Sequence, residues 1–191
     1  MTRRAYLVAL VAALALAAAA VVWIWTSNRL AGLPDDDVGT LLDPPVDVRD
    51  VRLVGADART VTLGELAPTM LVFFGYTSCP DVCPLTLAKL SDAFDRAGLR
   101  EDLAVAFVTV DSRDTVEEAD AYARGFHPAF RGYGGPSSLV ADAAKRFFVG
   151  FQSLQDGTVA HTDAVFIVED GLLTRLVTQD ELDRFVTALA P

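Results

Sequence analysis

The sequence predicts an α/β fold with a central mixed β-sheet flanked by helices. Two continuous apolar runs, Met70–Phe74 and Leu103–Val110, have the composition of strands that are buried on both faces. Apolar residues with helical spacing follow the first run as far as Gly98, and Thr115–Glu118 is a capping box that opens a second helix. Because strands and helices alternate in this way, we expect one layered α/β domain.

The remaining elements are predicted from shorter patterns along the chain. In order, they are a hairpin of Val51–Val54 and Thr60–Leu63, a helix over Ser138–Phe148, strands at Val149–Leu154, Ala164–Val168 and Leu172–Val177, and a final helix that begins at the capping box Thr178–Glu181. A glycine-rich stretch, Gly132–Pro136, is predicted to be a loop before the helix at Ser138.

The N-terminal segment predicts a membrane anchor. Ala5–Trp25 is a run of 21 residues without a charge, which at about 1.5 Å per residue matches a hydrocarbon core of about 30 Å. Arg3 and Arg4 precede the run and Asp35–Asp37 follow it, so the positive-inside rule places the N-terminus in the cytoplasm. A cleaved signal peptide is the competing interpretation, although its apolar core usually has roughly 7–15 residues. We therefore expect an uncleaved, single-pass anchor in the cytoplasmic membrane and a domain on the extracytoplasmic (periplasmic) side.

The chain is expected to divide into an anchor at residues 1–26, a linker at residues 27–46 and one domain at residues 47–191. Beyond Arg3 and Arg4, 14 basic and 26 acidic residues leave a net charge of −12. Such a surface repels phosphate backbones, so nucleic acid is excluded as a partner, whereas a basic protein face is compatible with it.

Both cysteines of the chain, Cys79 and Cys83, lie where the first buried strand passes into a helix. Residues four apart share a helix face, and their expected separation of about 6 Å suits either a disulfide or a shared metal ion. The free N–H groups of the helix start favour the thiolate form. A purely structural disulfide is the alternative, but so short a loop restrains the unfolded chain little.

Four segments of the chain together are similar to one known family. Gly75–Pro84 (G-Y-T-S-C-P-D-V-C-P) resembles a metal-binding motif, and Val108–Thr115 resembles a V-x-V-D-P-x-R-D-T-P segment. Phe126–Pro128 resembles an F-H-P stretch, and His161–Thr162 resembles a D-H-S/T motif. These motifs resemble the Sco/SenC family, whose members are membrane-tethered, thioredoxin-fold proteins that deliver copper to cytochrome c oxidase.

The chain departs from the family pattern at several positions. Ser112 stands near a usual proline, Val116 replaces a second proline, and Ala160 replaces the aspartate before the histidine. Gly132–Gly135 also lack the usual leucine and threonine. None of these departures removes a metal ligand that the resemblance implies.

The resemblance implies a copper metallochaperone with a thioredoxin-like fold. Its metal ligands would be Cys79, Cys83 and His161, a soft set that suits Cu(I) and can also hold Cu(II). Zinc is disfavoured, because structural zinc sites usually have four protein ligands. The implied recipient is the copper A centre in the copper-bearing subunit of cytochrome c oxidase. Further implied partners are another periplasmic copper chaperone or a thioredoxin-like reductant.

Other polar residues have two interpretations each. Asp81, between the cysteines, either tunes the charge of the metal site or satisfies N–H groups at the helix start. Asp111 and Arg113 either support the site or face a partner, or they form an internal ion pair. His127 is interpreted as a helix-end or packing residue, with a metal ligand as the alternative.

Two other functions remain open. The first is an extracytoplasmic thiol–disulfide oxidoreductase with Cys79 and Cys83 as its redox-active catalytic pair. Ordinary thioredoxins have C-x-x-C and a cis-proline, whereas here the spacing is longer and no proline lies between Pro136 and Pro191. The second is a membrane-bound redox or copper sensor, which would need the same ligands. We expect a metallochaperone rather than an enzyme.

Overall fold

The computed structural model describes residues 38–97, 103–153 and 159–189, together with Ala13 and Leu16–Ala19. The chain divides into two compact units, Met1–Pro34 and Asp35–Pro191. In the first unit, the described residues are helical. A search of the described residues finds no helix with the length and apolar character that a membrane span requires. The anchor expected at Ala5–Trp25 lies outside the described residues except for those named above, so it stays a prediction.

The second unit contains ten strands and four α-helices within the described residues. The strands are β1 (Thr40–Asp47), β2 (Arg52–Gly55), β3 (Thr60–Thr62), β4 (Thr69–Gly75), β5 (Leu103–Thr109), β6 (Arg131–Gly134), β7 (Phe151–Ser153), β8 (Val159–His161), β9 (Val165–Glu169) and β10 (Leu172–Val177). The helices are α1 (Val82–Ala97), α2 (Val116–Phe126), α3 (Ser137–Arg146) and α4 (Gln179–Leu189), and a 3₁₀ turn occupies Leu63–Glu65.

The main sheet is mixed and has the strand order β1-β10-β9-β4-β5-β6-β2-β3. β4 runs parallel to β5 and antiparallel to β9, and β5 runs parallel to β6. The remaining strands, β7 and β8, pair with each other as a separate two-stranded hairpin. The predicted α/β fold with a central mixed sheet and flanking helices is therefore confirmed.

The centre of the sheet explains the two apolar runs in the sequence. Every residue of β4 after Thr69 is buried, because helices and neighbouring strands cover it on all sides. Phe74 packs its ring against Phe147 beside α3 and Phe166 of β9, at centroid distances of 5.3 and 6.0 Å. This packing holds the carboxyl end of β4 in a fixed place, and the cysteine segment begins there.

The predicted helix boundaries are close to the observed ones. The capping box before α2 is present, because Thr115 accepts from the Glu118 N–H and the Glu118 carboxylate accepts from the Thr115 N–H. α1 begins at Val82, one residue before Cys83, and Pro84 lies in its first turn, where a missing N–H leaves no bond unmade.

Three segments differ from the sequence-based expectation. β1 occupies the end of the stretch expected to be a linker; Pro44 and Pro45 are tolerated because β1 is an edge strand with an irregular register. β6 replaces the expected loop, because Gly132 lets α2 approach: a Cβ there would overlap the backbone nitrogen of Asp120. The strand expected at Val149–Leu154 is the short β7 of the separate hairpin.

Candidate metal centre

Cys79 lies in the turn that joins β4 to α1, and Cys83 lies in the first turn of α1. The Cys79 N–H donates to the carbonyl oxygen of Tyr76 at 3.2 Å, which closes the turn after β4. The Cys83 N–H, in the first turn of α1, donates to the Cys79 sulfur at 3.4 Å. Neither sulfur is part of a disulfide. The helix start thus brings the two sulfurs together, as the spacing predicted.

Cys83 and Cys79 differ sharply in exposure. Cys83 is fully buried, whereas Cys79 is partly exposed. A Cβ on Gly75 would lie 2.8 Å from the Cys83 sulfur and 2.8 Å from the Phe107 ring. The absence of a side chain at Gly75 is therefore what gives the Cys83 sulfur its place at the end of β4.

The same contrast appears in the acidity of the two thiols. Burial, together with the hydrogen bond to Cys79, raises the pKa of the Cys83 thiol well above its usual range. Burial also disfavours the Cys79 thiolate, but hydrogen bonds from the Cys83 thiol and from the Asp81 and Cys83 N–H groups outweigh it and lower the pKa of Cys79. The site therefore has one exposed thiol that ionises readily and one buried thiol that keeps its proton.

Asp114 fastens the cysteine turn to the next strand. Its carboxylate accepts from the Thr77 N–H at 2.8 Å and from the Thr77 hydroxyl at 2.6 Å. It also accepts from the hydroxyl of Thr109, at the end of β5, at 2.7 Å. These three bonds tie the start of the cysteine turn to the carboxyl end of β5. Asp114 was not singled out from the sequence, although it lies within the Val108–Thr115 motif.

Tyr76 joins the cysteine turn to the β7–β8 hairpin. The Tyr76 hydroxyl hydrogen-bonds with the backbone of Val159 and with the side chain of Cys79, and burial raises the pKa of Tyr76. Val159 is the first residue of β8, and His161 is the last. Tyr76 also was not singled out from the sequence, since a tyrosine after a strand has an ordinary packing role.

His161 lies in β8, a short strand that the sequence did not predict. Its backbone pairs with Phe151 across the hairpin, and the Thr162 N–H donates to the Gly150 carbonyl oxygen at 3.1 Å. The side chain of His161 lies outside what the structure describes. Its role as a ligand stays a prediction, which the position of the β8 backbone beside Tyr76 supports.

A further polar group points toward the cysteines from α2. The Tyr122 hydroxyl is buried and has no hydrogen-bond partner among the described residues. Burial raises the pKa of Tyr122, and Cys83, Cys79 and Asp114 raise it further whenever they carry a negative charge. Sequence reasoning missed this residue too, because α2 was interpreted only through its cap and its apolar face.

The other predicted site residues have clear positions. Asp81 is exposed, just before α1. Asp111 is buried, and its carboxylate accepts from the Arg113 guanidinium at 2.6 to 3.0 Å. Asp111 and Arg113 therefore form an ion pair within the loop, and this pairing lowers the pKa of Asp111.

His127 is the C-cap of α2 and is buried. Its Nδ1 accepts from the Ala129 N–H at 3.1 Å, and its ring packs against Phe94 and Phe130. Within the part of the chain that the structure describes, no three His, Cys, Asp or Glu side chains are grouped as metal ligands would be. The donors that this part brings together are the two sulfurs, which suit a soft metal ion.

The sheet order, with a cysteine-bearing turn at the end of β4, is that of a thioredoxin-like protein. Comparison with known proteins narrows this class. The SCO1/SenC family model matches residues 48–189, so the chain belongs to the SCO1/SenC family, as its motifs predicted.

Relatives and solved structures agree with this assignment. "Protein SCO2 homolog, mitochondrial" from Mus musculus is 35% identical over 115 residues, which cover 55% of this chain and 45% of that protein. The first curated relatives are matched over 38–53% of their own length.

Experimentally determined structures of similar proteins have the same fold. The solution structure of apo Sco1 from Thermus thermophilus has a TM-score of 0.72 and 38% identity, and the match covers 80% of this chain and 92% of that one. Copper-bound ScoI from Bradyrhizobium japonicum has a TM-score of 0.62 and 25% identity, with 80% and 97% of the two chains covered.

Proposed function

We propose that the protein is a membrane-tethered copper metallochaperone that delivers copper to the copper A centre of cytochrome c oxidase. The observation that carries this proposal is the reduced cysteine pair, Cys79 and Cys83, at the carboxyl edge of the sheet in a chain of the SCO1/SenC family. Copper is cargo here, because the ligands that hold it must release it again to the recipient.

The acidity of the two thiols fits metal capture. Cys79 is partly exposed and readily ionised, so its thiolate is the first group that an arriving copper ion meets. Cys83 keeps its proton until the metal displaces it, because a metal-bound sulfur is a thiolate. Two thiolates form a low-coordinate, soft site, which is what Cu(I) prefers.

The proposed third ligand is the imidazole of His161. The contact of Tyr76 with both Cys79 and the Val159 backbone supports it, because Val159 precedes His161 by two residues in β8. A nitrogen ligand added to two sulfurs also suits Cu(II). Asp81, Asp111 and Arg113 stay candidates for tuning the site or for meeting a partner protein.

The sequence and the family support the proposed location and partners. The uncharged run Ala5–Trp25 supports a single-pass anchor in the cytoplasmic membrane, with the N-terminus inside and the domain on the periplasmic side. The recipient would be the copper-bearing subunit of the oxidase. A second periplasmic copper chaperone or a thioredoxin-like reductant would load or reduce the cysteine pair.

One observation favours a second function, thiol–disulfide exchange. A lowered pKa at Cys79 is what a nucleophilic thiolate needs. Cys79 would attack a substrate disulfide and release one substrate thiolate; Cys83 would then attack the mixed disulfide, which leaves a reduced substrate and an oxidised Cys79–Cys83 pair. The raised pKa of Cys83 slows that second step, so metal binding is the better supported function.

Copper titration of the reduced, full-length chain in detergent tests the proposal. We expect one copper ion per chain, held against a competing chelator of moderate affinity, and protection of both thiols from oxidant. A stoichiometry well below one, or loss of the metal to a weak chelator, would contradict the copper assignment. Reduction of insulin at the rate of a thioredoxin, without metal, would favour the oxidoreductase instead.

A further inference from the structure

The side chain of Gln179 connects α1 to the segment between β8 and β9; among the described residues, no backbone hydrogen bond joins these two segments. Gln179 is the first residue of α4, immediately after the turn that follows β10. Its amide nitrogen donates to the Thr86 hydroxyl oxygen at 2.9 Å and to the Asp163 carbonyl oxygen at 2.8 Å. A backbone carbonyl can only accept, so the amide nitrogen, and not the oxygen, must face Asp163.

The two acceptors lie close in sequence to the proposed ligands. Thr86 is fully buried in α1, three residues after Cys83, and residues three apart share a helix face. Asp163 follows His161 by two residues, in the connection between β8 and β9. One amide group thus ties the cysteine helix to the segment that carries the histidine.

The base of α4 is itself fixed, so the amide is a firm attachment point. Lys89 of α1 and Asp183 of α4 form an ion pair at 2.6 Å, and Leu182 and Phe185 of α4 are fully buried. Tyr76 contacts Val159, two residues before His161, and Gln179 contacts Asp163, two residues after it. The two contacts bracket His161 on both sides along the chain.

We propose that Gln179 is a positioning residue, whose amide holds the β8–β9 connection against α1 and thereby sets the place of His161 relative to Cys79 and Cys83. The inference rests on the proposed function, because it concerns the third ligand of the same copper site. Side chains that hold a metal ligand in place typically change metal affinity about 10- to 100-fold when they are replaced.

Gln179→Met tests this role, because methionine keeps the length of the side chain and removes both donors. Gln179→Glu is the second variant; it keeps the shape but places a carboxylate against the Asp163 carbonyl oxygen. In the full-length chain in detergent, we expect Cu(II) affinity to fall about 10- to 100-fold in both variants, with a shifted Cu(II)–thiolate charge-transfer absorption. Cu(I) affinity should change less, since the two sulfurs can hold Cu(I) alone.

Thr178→Ala is the matched control. Thr178 is the neighbouring residue, and its hydroxyl donates to Glu181 in the first turn of α4 at 3.0 Å. This change should lower the melting temperature without moving the copper spectrum. A copper-free readout accompanies it: hydrogen exchange of the amides at residues 159–163 should become faster in Gln179→Met than in Thr178→Ala.

Three outcomes would overturn the inference. The first is wild-type Cu(II) affinity and wild-type hydrogen exchange in both Gln179 variants. The second is an equal loss of Cu(II) affinity in Thr178→Ala. The third is an equal loss of Cu(I) and Cu(II) affinity in Gln179→Met, which would indicate displaced cysteines. Failure of the proposed function is distinguishable from these, because the wild-type chain would then hold no copper, while hydrogen exchange would still report whether Gln179 holds the segment.

Discussion

The cysteine turn and the β7–β8 hairpin reach the same edge of the molecule by different means. The turn continues from β4, which pairs on both sides within the main sheet, and its Cys83 sulfur lies directly over Gly75. The hairpin pairs only with itself among the described strands, outside the eight-stranded sheet. The Tyr76 side chain contacts the first residue of β8, and the Gln179 side chain contacts the connection that follows β8.

This difference suggests a division of tasks within one site. The hydrophobic core fixes the Cys83 sulfur, and the hydrogen bonds of Asp114 fasten the start of the turn that carries Cys79. The proposed histidine ligand depends on a few polar contacts, which are individually weak. Such a site would keep Cu(I) on its sulfurs while the third ligand is attached or withdrawn, which suits a protein that must release its cargo.

The largest expected effect separates the two histidines. His161→Ala should lower Cu(II) affinity by about 100-fold or more and abolish or shift the Cu(II)–thiolate absorption, while part of the Cu(I) affinity persists. His127→Ala should leave the absorption unchanged and instead destabilise the fold by roughly 2–4 kcal/mol, because it empties a buried place between Phe94 and Phe130.

Copper titration and thermal or denaturant unfolding of both variants give the two measurements. If His127→Ala removes the Cu(II) spectrum and His161→Ala leaves it intact, the ligand assignment is wrong. The proposed contrast between the cysteine turn and the β7–β8 hairpin would then be wrong as well.

The next prediction compares one glycine from each region. Gly75→Ala should destabilise the protein by about 1–3 kcal/mol and weaken Cu(I) and Cu(II) binding alike, because the new methyl group displaces the Cys83 sulfur and the Phe107 ring. Gly150→Ala, just before β7, has nothing within 4 Å of the added Cβ and should change stability by no more than about 0.5 kcal/mol. Denaturant unfolding with copper titration would contradict this contrast if both variants behaved alike.

The sequence predicted the cysteine half of the site much better than the histidine half. The apolar run of β4 and the cap-like start of α1 are local patterns, and they place Cys79 and Cys83 without further information. The strand at His161 has no comparable pattern, because β8 is only three residues long, too short to show an alternation of apolar and polar residues. It forms by pairing with β7. The sequence places Gln179 inside a capping box, and no neighbouring residue indicates that its side-chain amide reaches Asp163.

The dependence on non-local contacts also explains why the sequence did not predict β1 and β6. β1 carries two prolines, and β6 is half glycine, so both lack strand propensity. Each forms because a neighbour supplies the pairing: β10 for β1, and β5 with β2 for β6. Tertiary context of this kind cannot be inferred from a window of residues.

A third prediction concerns the unequal thiols. In the reduced, metal-free chain at neutral pH, iodoacetamide should modify Cys79 at least about 10-fold faster than Cys83, because only Cys79 is both accessible and inclined to ionise. The Cys79 rate should rise with pH as its thiolate forms and level off at a lower pH than for an ordinary cysteine. The Cys83 rate should still be rising there, since its pKa is raised.

Peptide mass spectrometry after timed alkylation gives the two rates, and prior loading with Cu(I) should suppress both. Equal rates at the two positions would mean that the buried sulfur is as available as the exposed one, which would contradict the rigid packing proposed for the cysteine half.

The smallest expected effect lies at the segment that leads into the hairpin. α3 ends in a Schellman motif: the Val149 N–H donates to the Ala144 carbonyl oxygen at 2.8 Å, and the Phe148 N–H donates to that of Lys145 at 3.2 Å. Phe148 therefore holds the left-handed position, with φ of 56°, where glycine is usual, and its side chain is 61% exposed. Phe148→Gly relieves backbone strain of about 1–2 kcal/mol but adds about 0.5–1 kcal/mol of backbone entropy to the unfolded chain. We expect a net gain of roughly 0.5–1 kcal/mol in the free energy of unfolding, measured by denaturant titration.

Phe148→Ala is the control, because it removes the ring and keeps the strain, so it should show no gain. A loss of stability in both variants would mean that the exposed ring packs well enough to outweigh the strain, and that the hairpin is held at its start by an apolar contact as well as by the polar ones.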